Sequence, residues 1–213
     1  MEMVVMKVMD KNVPQTRSLN PEMCKLKTRA EGDVDKFIEG YFIVYNRETE
    51  LWPGYFEQVA PEAIDNTLGN DIRALINHDS TLVLGRNKAG TLELKSDGHG
   101  LWGSVKINTN DTDAMNLYER VSRQDVSQCS FGFNIRDEED EWRDDGTIHT
   151  TLKDIDLWET SIVTFPAYEE TGVQARKKDI EQQRERQLDV RRKKLKERLK
   201  GYGNKTIDDK QEN

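Results

Sequence analysis

The sequence predicts a mainly β protein with a few helices, an α+β fold that ends in a charged C-terminal helix. Three observations carry that reading. Segments rich in β-branched and aromatic residues recur at the spacing of a small barrel or sandwich. One internal stretch, Asp111 to Arg123, shows apolar residues at helical spacing. Beyond Arg176 the chain turns strongly basic and carries no Gly or Pro until Gly201.

The elements follow in order. Phe37 to Asn46 (FIEGYFIVYN) is a strand by composition. A turn at Pro53-Gly54 leads through Tyr55-Phe56 to a short helix opening near Pro61, since proline suits a first helical turn. Asp71 to His78 (DIRALINH) reads as a short strand with a polar end. Thr91 to Lys95 and Leu101 to Ile107 are two more strands, joined by the turn-rich Ser96-Asp97-Gly98-His99-Gly100. In the helix, Asn110 or Asp111 is the cap, and Ala114, Leu117, Tyr118 and Val121 share one face. Val126 to Ile135 returns to strand, and acidic Asp137 to Gly146 reads as a solvated loop. Ile148 to Asp156 and Trp158 to Phe165 are the last two strands, and Pro166 ends the run.

Charge divides the chain. The formal net charge is -8, but residues 1–175 hold -14 and residues 176–200 hold +7. The shift at Arg176 marks a boundary. Ala175 to Lys200 is rich in good helix formers, with Leu188, Leu195 and Leu199 on a thin stripe. Gly201-Tyr202-Gly203 is expected to end that helix, and the last ten residues to be disordered. The tail is either a solvated helix or a detachable appendage that meets an acidic surface or a partner helix.

Composition sets further bounds. At 213 residues the chain can bury a core without disulfide staples. No apolar run approaches the roughly 20 residues that span a membrane. The start, Met1 to Lys11, lacks the pattern of a signal peptide. Cys24 and Cys129 lie far apart in sequence, which points to free thiols in a reducing, intracellular setting, with a single bridge left open. Three histidines and two distant cysteines build no recognisable zinc site. No phosphate-binding glycine motif is present. Neither a metal nor a cofactor is expected.

Chemistry therefore falls to ordinary side chains. In Gln128-Cys129-Ser130-Phe131-Gly132-Phe133, strand alternation puts Phe131 and Phe133 on a core face and Ser130 on the other. There its hydroxyl can reach solvent or a neighbour, and Gly132 on the same face leaves room for a substrate backbone. Most strand serines are plain surface residues. His78 stands at the junction of an apolar strand and a polar loop, where imidazole could serve as a base near neutral pH. A lone histidine of this kind is more often structural. Glu159 lies within an apolar strand, where a carboxylate is costly unless paired. Orienting a histidine would account for it; so would a solvent-facing position.

These residues sit in segments that resemble the prohead proteases of HK97-like tailed bacteriophages. Leu51 to Ile64 (LWPGYFEQVAPEAI) resembles the family's loop and short helix, and Ile76-Asn77-His78-Asp79 with Leu84-Gly85-Arg86 its histidine motif. Gly100-Leu101-Trp102 to Asn108 resembles the strand after its "GL" signal. Gln128 to Phe133 resembles the serine motif, and Trp158 to Tyr168 (WETSIVTFPAY) the closing motif. The likeness covers about residues 25–175. It implies an N-terminal extension over 1–24, a protease domain over 25–175 and a basic helical tail over 176–213, open to removal on maturation.

The resemblance implies more. The family is similar in fold to the herpesvirus maturation proteases, a small β-barrel ringed by helices. Ser130 is then the nucleophile and His78 the general base. The third member is Glu159 on the phage pattern. The herpesvirus pattern of two histidines would instead want His149, and Asp156 lies three residues before Glu159. The implied activity is a serine endopeptidase that cuts the capsid scaffolding segment and itself. Its partners are the major capsid protein, that segment and its own copies, inside an assembling prohead in the host cytoplasm. Neither a nucleic acid nor a membrane is an expected partner. The rival readings are an inactive assembly or scaffolding protein with the same barrel, an esterase, and a tail-mediated nucleic-acid binder. The acidic body and a tail without interleaved aromatics disfavour the last.

Overall fold

The computed structural model describes residues 13–32, 35–165 and 170–208. The expectation for the last ten residues falls partly outside that range. The chain divides into two compact units, residues 1–172 and 173–213.

In the first unit the elements are β1 (Gln15–Leu19), α1 (Pro21–Cys24), β2 (Lys27–Glu31), β3 (Asp35–Val44), β4 (Thr49–Trp52) and β5 (Tyr55–Val59). A 3-10 turn over Pro61–Ile64 precedes β6 (Arg73–Ile76) and β7 (Asp79–Arg86). Then come a second 3-10 turn (Asn87–Ala89), β8 (Leu92–Ser96), β9 (Gly100–Ile107), α2 (Thr112–Ser122), β10 (Gln128–Trp142) and β11 (Ile148–Val163). The mainly β, α+β reading is what the structure shows.

The strands form two sheets. A seven-stranded sheet runs β1-β10-β11-β5-β4, with β6 also paired to β11 and β7 to β6. A four-stranded sheet runs β2-β3-β9-β8. Both contribute to one core, with Ile38, Phe42 and Leu101 meeting Phe131, Phe133 and Leu157. The pairing closes neither sheet among the described residues, so the expected closed barrel is corrected to two open sheets. The reason lies in β11. One of its edges takes β10 antiparallel, and the other takes β5 and β6 in parallel, one after the other along its length.

Helix α2 forms where the apolar spacing places it. The Asp111 side chain accepts from the N–H groups of Asp113 and Ala114, and Ala114, Leu117, Tyr118 and Val121 are buried. The expected acidic loop is corrected: β10 continues through Asp137 to Trp142, and the two expected last strands are one 16-residue strand, β11. Asp and Glu have poor strand propensity, but ladder partners decide. Glu138 to Glu141 pair with Leu152 to His149, and Thr150 donates to Asp140 Oδ1 at 2.6 Å. The turn shrinks to the residues around Gly146, which takes the left-handed φ of +87° that suits glycine.

The second unit belongs to α3 (Glu170–Asp208), a single helix. It does not stop at Gly201-Tyr202-Gly203, so that expected stop is corrected too. Glycine weakens a helix by about 1 kcal/mol per residue without forbidding it. Leu188, Val190, Leu195 and Leu199 are exposed on it.

Candidate active site

Two strands and one turn bring the candidate residues together. β10 carries Ser130 and Gly132. β11 carries Glu159 and Ser161, in register with Gly132 and Ser130 respectively. Directly paired residues share a face, with Cβ atoms about 5 Å apart, and diagonal pairs about 7–8 Å. Ser130, Ser161 and Glu159 therefore converge on one face of the sheet, while Phe131 and Phe133 stack on each other in the core on the opposite face.

His78 comes from the β6–β7 hairpin. Its two-residue turn is Asn77-His78, both left-handed, at φ 49° and 61°. This is the geometry of a type I′ turn, which usually takes Asn-Gly. A histidine there is strained by about 1–2 kcal/mol. Three hydrogen bonds to β11 and the residue after it hold the turn: Asn77 N–H to the Ile162 carbonyl at 3.0 Å, His78 N–H to Ser161 Oγ at 3.2 Å, and Thr164 N–H to Asn77 Oδ1 at 2.8 Å. Strain over-determined by neighbours in this way is typical of functional sites.

The turn delivers the imidazole to Glu159. His78 Nδ1 lies 2.5 Å from Glu159 Oε1. Ser161 donates to the other carboxylate oxygen, also at 2.5 Å. Glu159 is buried at 1% exposure, which answers the cost of a carboxylate in an apolar strand: both its oxygens are hydrogen-bonded. A carboxylate at Nδ1 places the ring proton there and leaves Nε2 as the basic nitrogen. Nε2 is buried and has no hydrogen-bond partner among the described residues.

Gly132 makes the pairing possible. A Cβ there would lie 2.6 Å from Glu159 Oε1 and 2.7 Å from the Trp158 ring. The sequence reading left that space for a substrate. The structure corrects this, since the acid fills it. Register shifts at Gly132/Phe133, where Trp158 is the extra residue on β11. Such a bulge re-aims the neighbouring side chain.

Ser130 differs from its expected state. It is fully buried, and its hydroxyl donates to the Arg17 carbonyl of β1 at 2.9 Å rather than reaching solvent. Strand β1 lies antiparallel along β10, with Ser18 opposite Ser130 and Arg17 opposite Phe131. The preceding residue, Cys129, shares its environment with Cys24, whose Sγ accepts from the Cys129 N–H at 3.0 Å. Both cysteines are free. Hydrogen bonding to Cys129 draws the Cys24 thiol below its usual value, and burial pushes the Cys129 thiol well up.

The other two candidates lie elsewhere. His149 sits ten residues before Glu159 on β11, about 33 Å along an extended strand. Its Nδ1 pairs with Glu48 at 2.6 Å, and its ring stacks on Phe56. Asp156 binds Asn70 at 2.7 Å and Arg136 at 3.0 Å. Neither joins the His78 cluster. Sequence reading missed Ser161, although the two-residue alternation from Glu159 points to it. It also missed the Arg17–Glu57 ion pair, for which no local signal exists. No group of three or more His, Cys, Asp or Glu among the described residues could hold a metal ion.

Residues 24–186 match the model of the caudovirus prohead serine proteases. The chain belongs to that family. Prohead proteases act in capsid maturation, and this chain is a phage capsid maturation protease. Among solved structures it is similar to the bacteriophage T4 capsid assembly protease gp21, at 11% identity and a TM-score of 0.43, over 73% of this chain and 100% of that one. No curated protein matches. No helix among the described residues is long and apolar enough to cross a membrane.

Proposed function

We propose that this prohead protease is a serine endopeptidase with Ser130 as nucleophile, His78 as general base and Glu159 as the residue that orients and charges-balances the imidazole. The observation that carries this reading is the His78–Glu159 contact, which leaves a buried, unpartnered Nε2. For reaction, the Ser130 hydroxyl turns its proton from the Arg17 carbonyl to that nitrogen. Ser130 Oγ then attacks a peptide carbonyl, His78 protonates the leaving amine, and water releases the acyl group. Glu159 holds the ring in the right tautomer and stabilises the imidazolium, and Ser161 keeps Glu159 in place. The natural substrates on this reading are the scaffolding segment of the major capsid protein and the protease itself, inside the assembling prohead. Residues 176–213 serve as a packaging handle outside the catalytic domain.

Intact masses of the wild type and Ser130→Ala, each co-expressed with its capsid protein, test the reading. Wild type should trim both chains, and the variant neither. Trimming that survives Ser130→Ala or His78→Ala overturns the assignment. Glu159→Gln should lower kcat by about 10⁴-fold, as loss of the orienting carboxylate does elsewhere. His149→Ala should cost far less, and the reverse order would move the third role to His149.

A further inference from the structure

Strand β1 precedes the residues matched by the family model, yet it lies against the nucleophile. Its register sets Ser18 across from Ser130, and the Arg17 carbonyl accepts the Ser130 hydroxyl proton at 2.9 Å. The Arg17 side chain points to the other face of the sheet. There its Nε is 2.6 Å and its Nη2 3.0 Å from the two oxygens of Glu57 on β5. Its Nη1 donates to Gln15 Oε1 and the Thr16 carbonyl, and its guanidinium lies over the Phe133 ring. Arg17 and Glu57 are 8% and 5% exposed. A chain segment thus lies extended on the serine's strand, with a carbonyl at the hydroxyl and the adjoining side chain seated in a buried acidic site. An extended substrate on the serine's strand would lie in the same way, with a side chain in a specificity site.

We propose that β1 sits in the substrate's seat, that Glu57 selects a basic side chain for the residue whose carbonyl faces Ser130, and that the chain cuts its own Arg17–Ser18 bond. The proposal rests on the serine reading above. A two-pronged contact to a buried carboxylate fits a guanidinium, and an occupant without a cation leaves Glu57 without that partner. Antiparallel pairing to β10 supplies main-chain hydrogen bonds of the kind that bind extended peptides at a sheet edge.

The step balances within the residues present. Ser130 Oγ bonds to the Arg17 carbonyl carbon, and its proton passes to His78 Nε2. The bond to the Ser18 nitrogen breaks, and that nitrogen leaves as an amine carrying the proton. Water then attacks the Arg17 ester. One of its protons returns through His78 to Ser130 Oγ, and residues 1–17 leave as a free acid.

The test is a time course of intact mass and N-terminal sequence on the purified full chain, with its capsid protein present. The expected result is a new N-terminus at Ser18 in the wild type and none in Ser130→Ala. Arg17→Lys should still be cut. Glu57→Gln should slow the cut at least tenfold. Because that variant leaves Arg17 buried without its partner, the double variant Arg17→Gln/Glu57→Gln is the control. It removes both charges of the pair, and its circular dichroism should match wild type. It should stay intact at this bond, and its Ser130-dependent trimming of the capsid protein should fall with the loss of Glu57. Ser130-dependent cuts elsewhere with Arg17–Ser18 intact overturn the proposal and leave the serine reading standing. Wild-type cutting of the double variant at this bond overturns the role of Glu57. No Ser130-dependent cut in either chain overturns both readings.

Discussion

Gly132 shows how one residue sets this site. With hydrogen as its side chain it admits Glu159, whose Oε1 would lie 2.6 Å from a Cβ. Gly132→Ala should therefore push the carboxylate away from His78 and leave the core face, Phe131 and Phe133, undisturbed. Misplacement of about 1 Å costs about 10²-fold in rate. Steady-state kinetics should show that loss in kcat, with a melting temperature close to wild type; unchanged kcat would mean that the acid's position is not set here. At this scale the sequence is informative. Ser130, His78 and Glu159 each stand out by residue type in an unlikely setting, and the structure places all three in one region. Ser161 was open to the same reasoning, two residues from Glu159 on an alternating strand. Arg17 and Glu57 were not, because a pair 40 residues apart leaves no periodic trace.

Among the elements, the β6–β7 hairpin matters most, since it carries His78 and sets it against Glu159. Its open end is clamped by Asp71, which accepts from Arg86 Nε at 2.6 Å and Nη2 at 2.7 Å and from Arg73 at 3.1 Å. Hydrogen bonding from Arg86 holds the Asp71 carboxyl below its usual range. A lowered folded pKa contributes stability above the unfolded value, about 3.9, and that contribution is lost as pH falls through the folded value. Amide protection in β6 and β7 should therefore drop more between pH 5 and pH 3 than in β3 and β9. Asp71→Asn should abolish the difference; a drop that persists in that variant would point to another group. β7 was hidden from sequence reading because Asp79-Ser80-Thr81 opens it without apolar alternation. β1 was hidden because QTRSL is short and polar, and it is buried by its ion pair and its ladder rather than by apolar side chains. The acidic half of β10 was misread for a related reason. Pairing with β11 outweighs local propensity there.

For the whole molecule, charge remains the clearest division. The acidic residues 1–175 and the basic segment from Arg176 differ in composition, and the compact units part close by, at residue 172. On the packaging reading, deletion of residues 176–213 should leave peptide cleavage within about twofold of wild type and lower the amount of protease in purified proheads. Quantitative mass spectrometry of those proheads measures it, and undiminished incorporation would end that reading. Two sheets around one core were legible only as a class. Which strands adjoin depends on long-range register, above all the parallel docking of β5 and β6 on β11.

That docking also fixes a timetable. Ser130 and Glu159 belong to one antiparallel hairpin, β10–β11, whose contacts are close in sequence. His78 is synthesised long before them, but its place on β11 exists only once residues 159–164 have emerged from the ribosome. Local hairpins form quickly, whereas parallel pairing across such a separation is slow. A nascent chain therefore holds His78 first, Ser130 next and Glu159 last. On the serine reading it cannot cut anything until nearly the whole catalytic unit has been made.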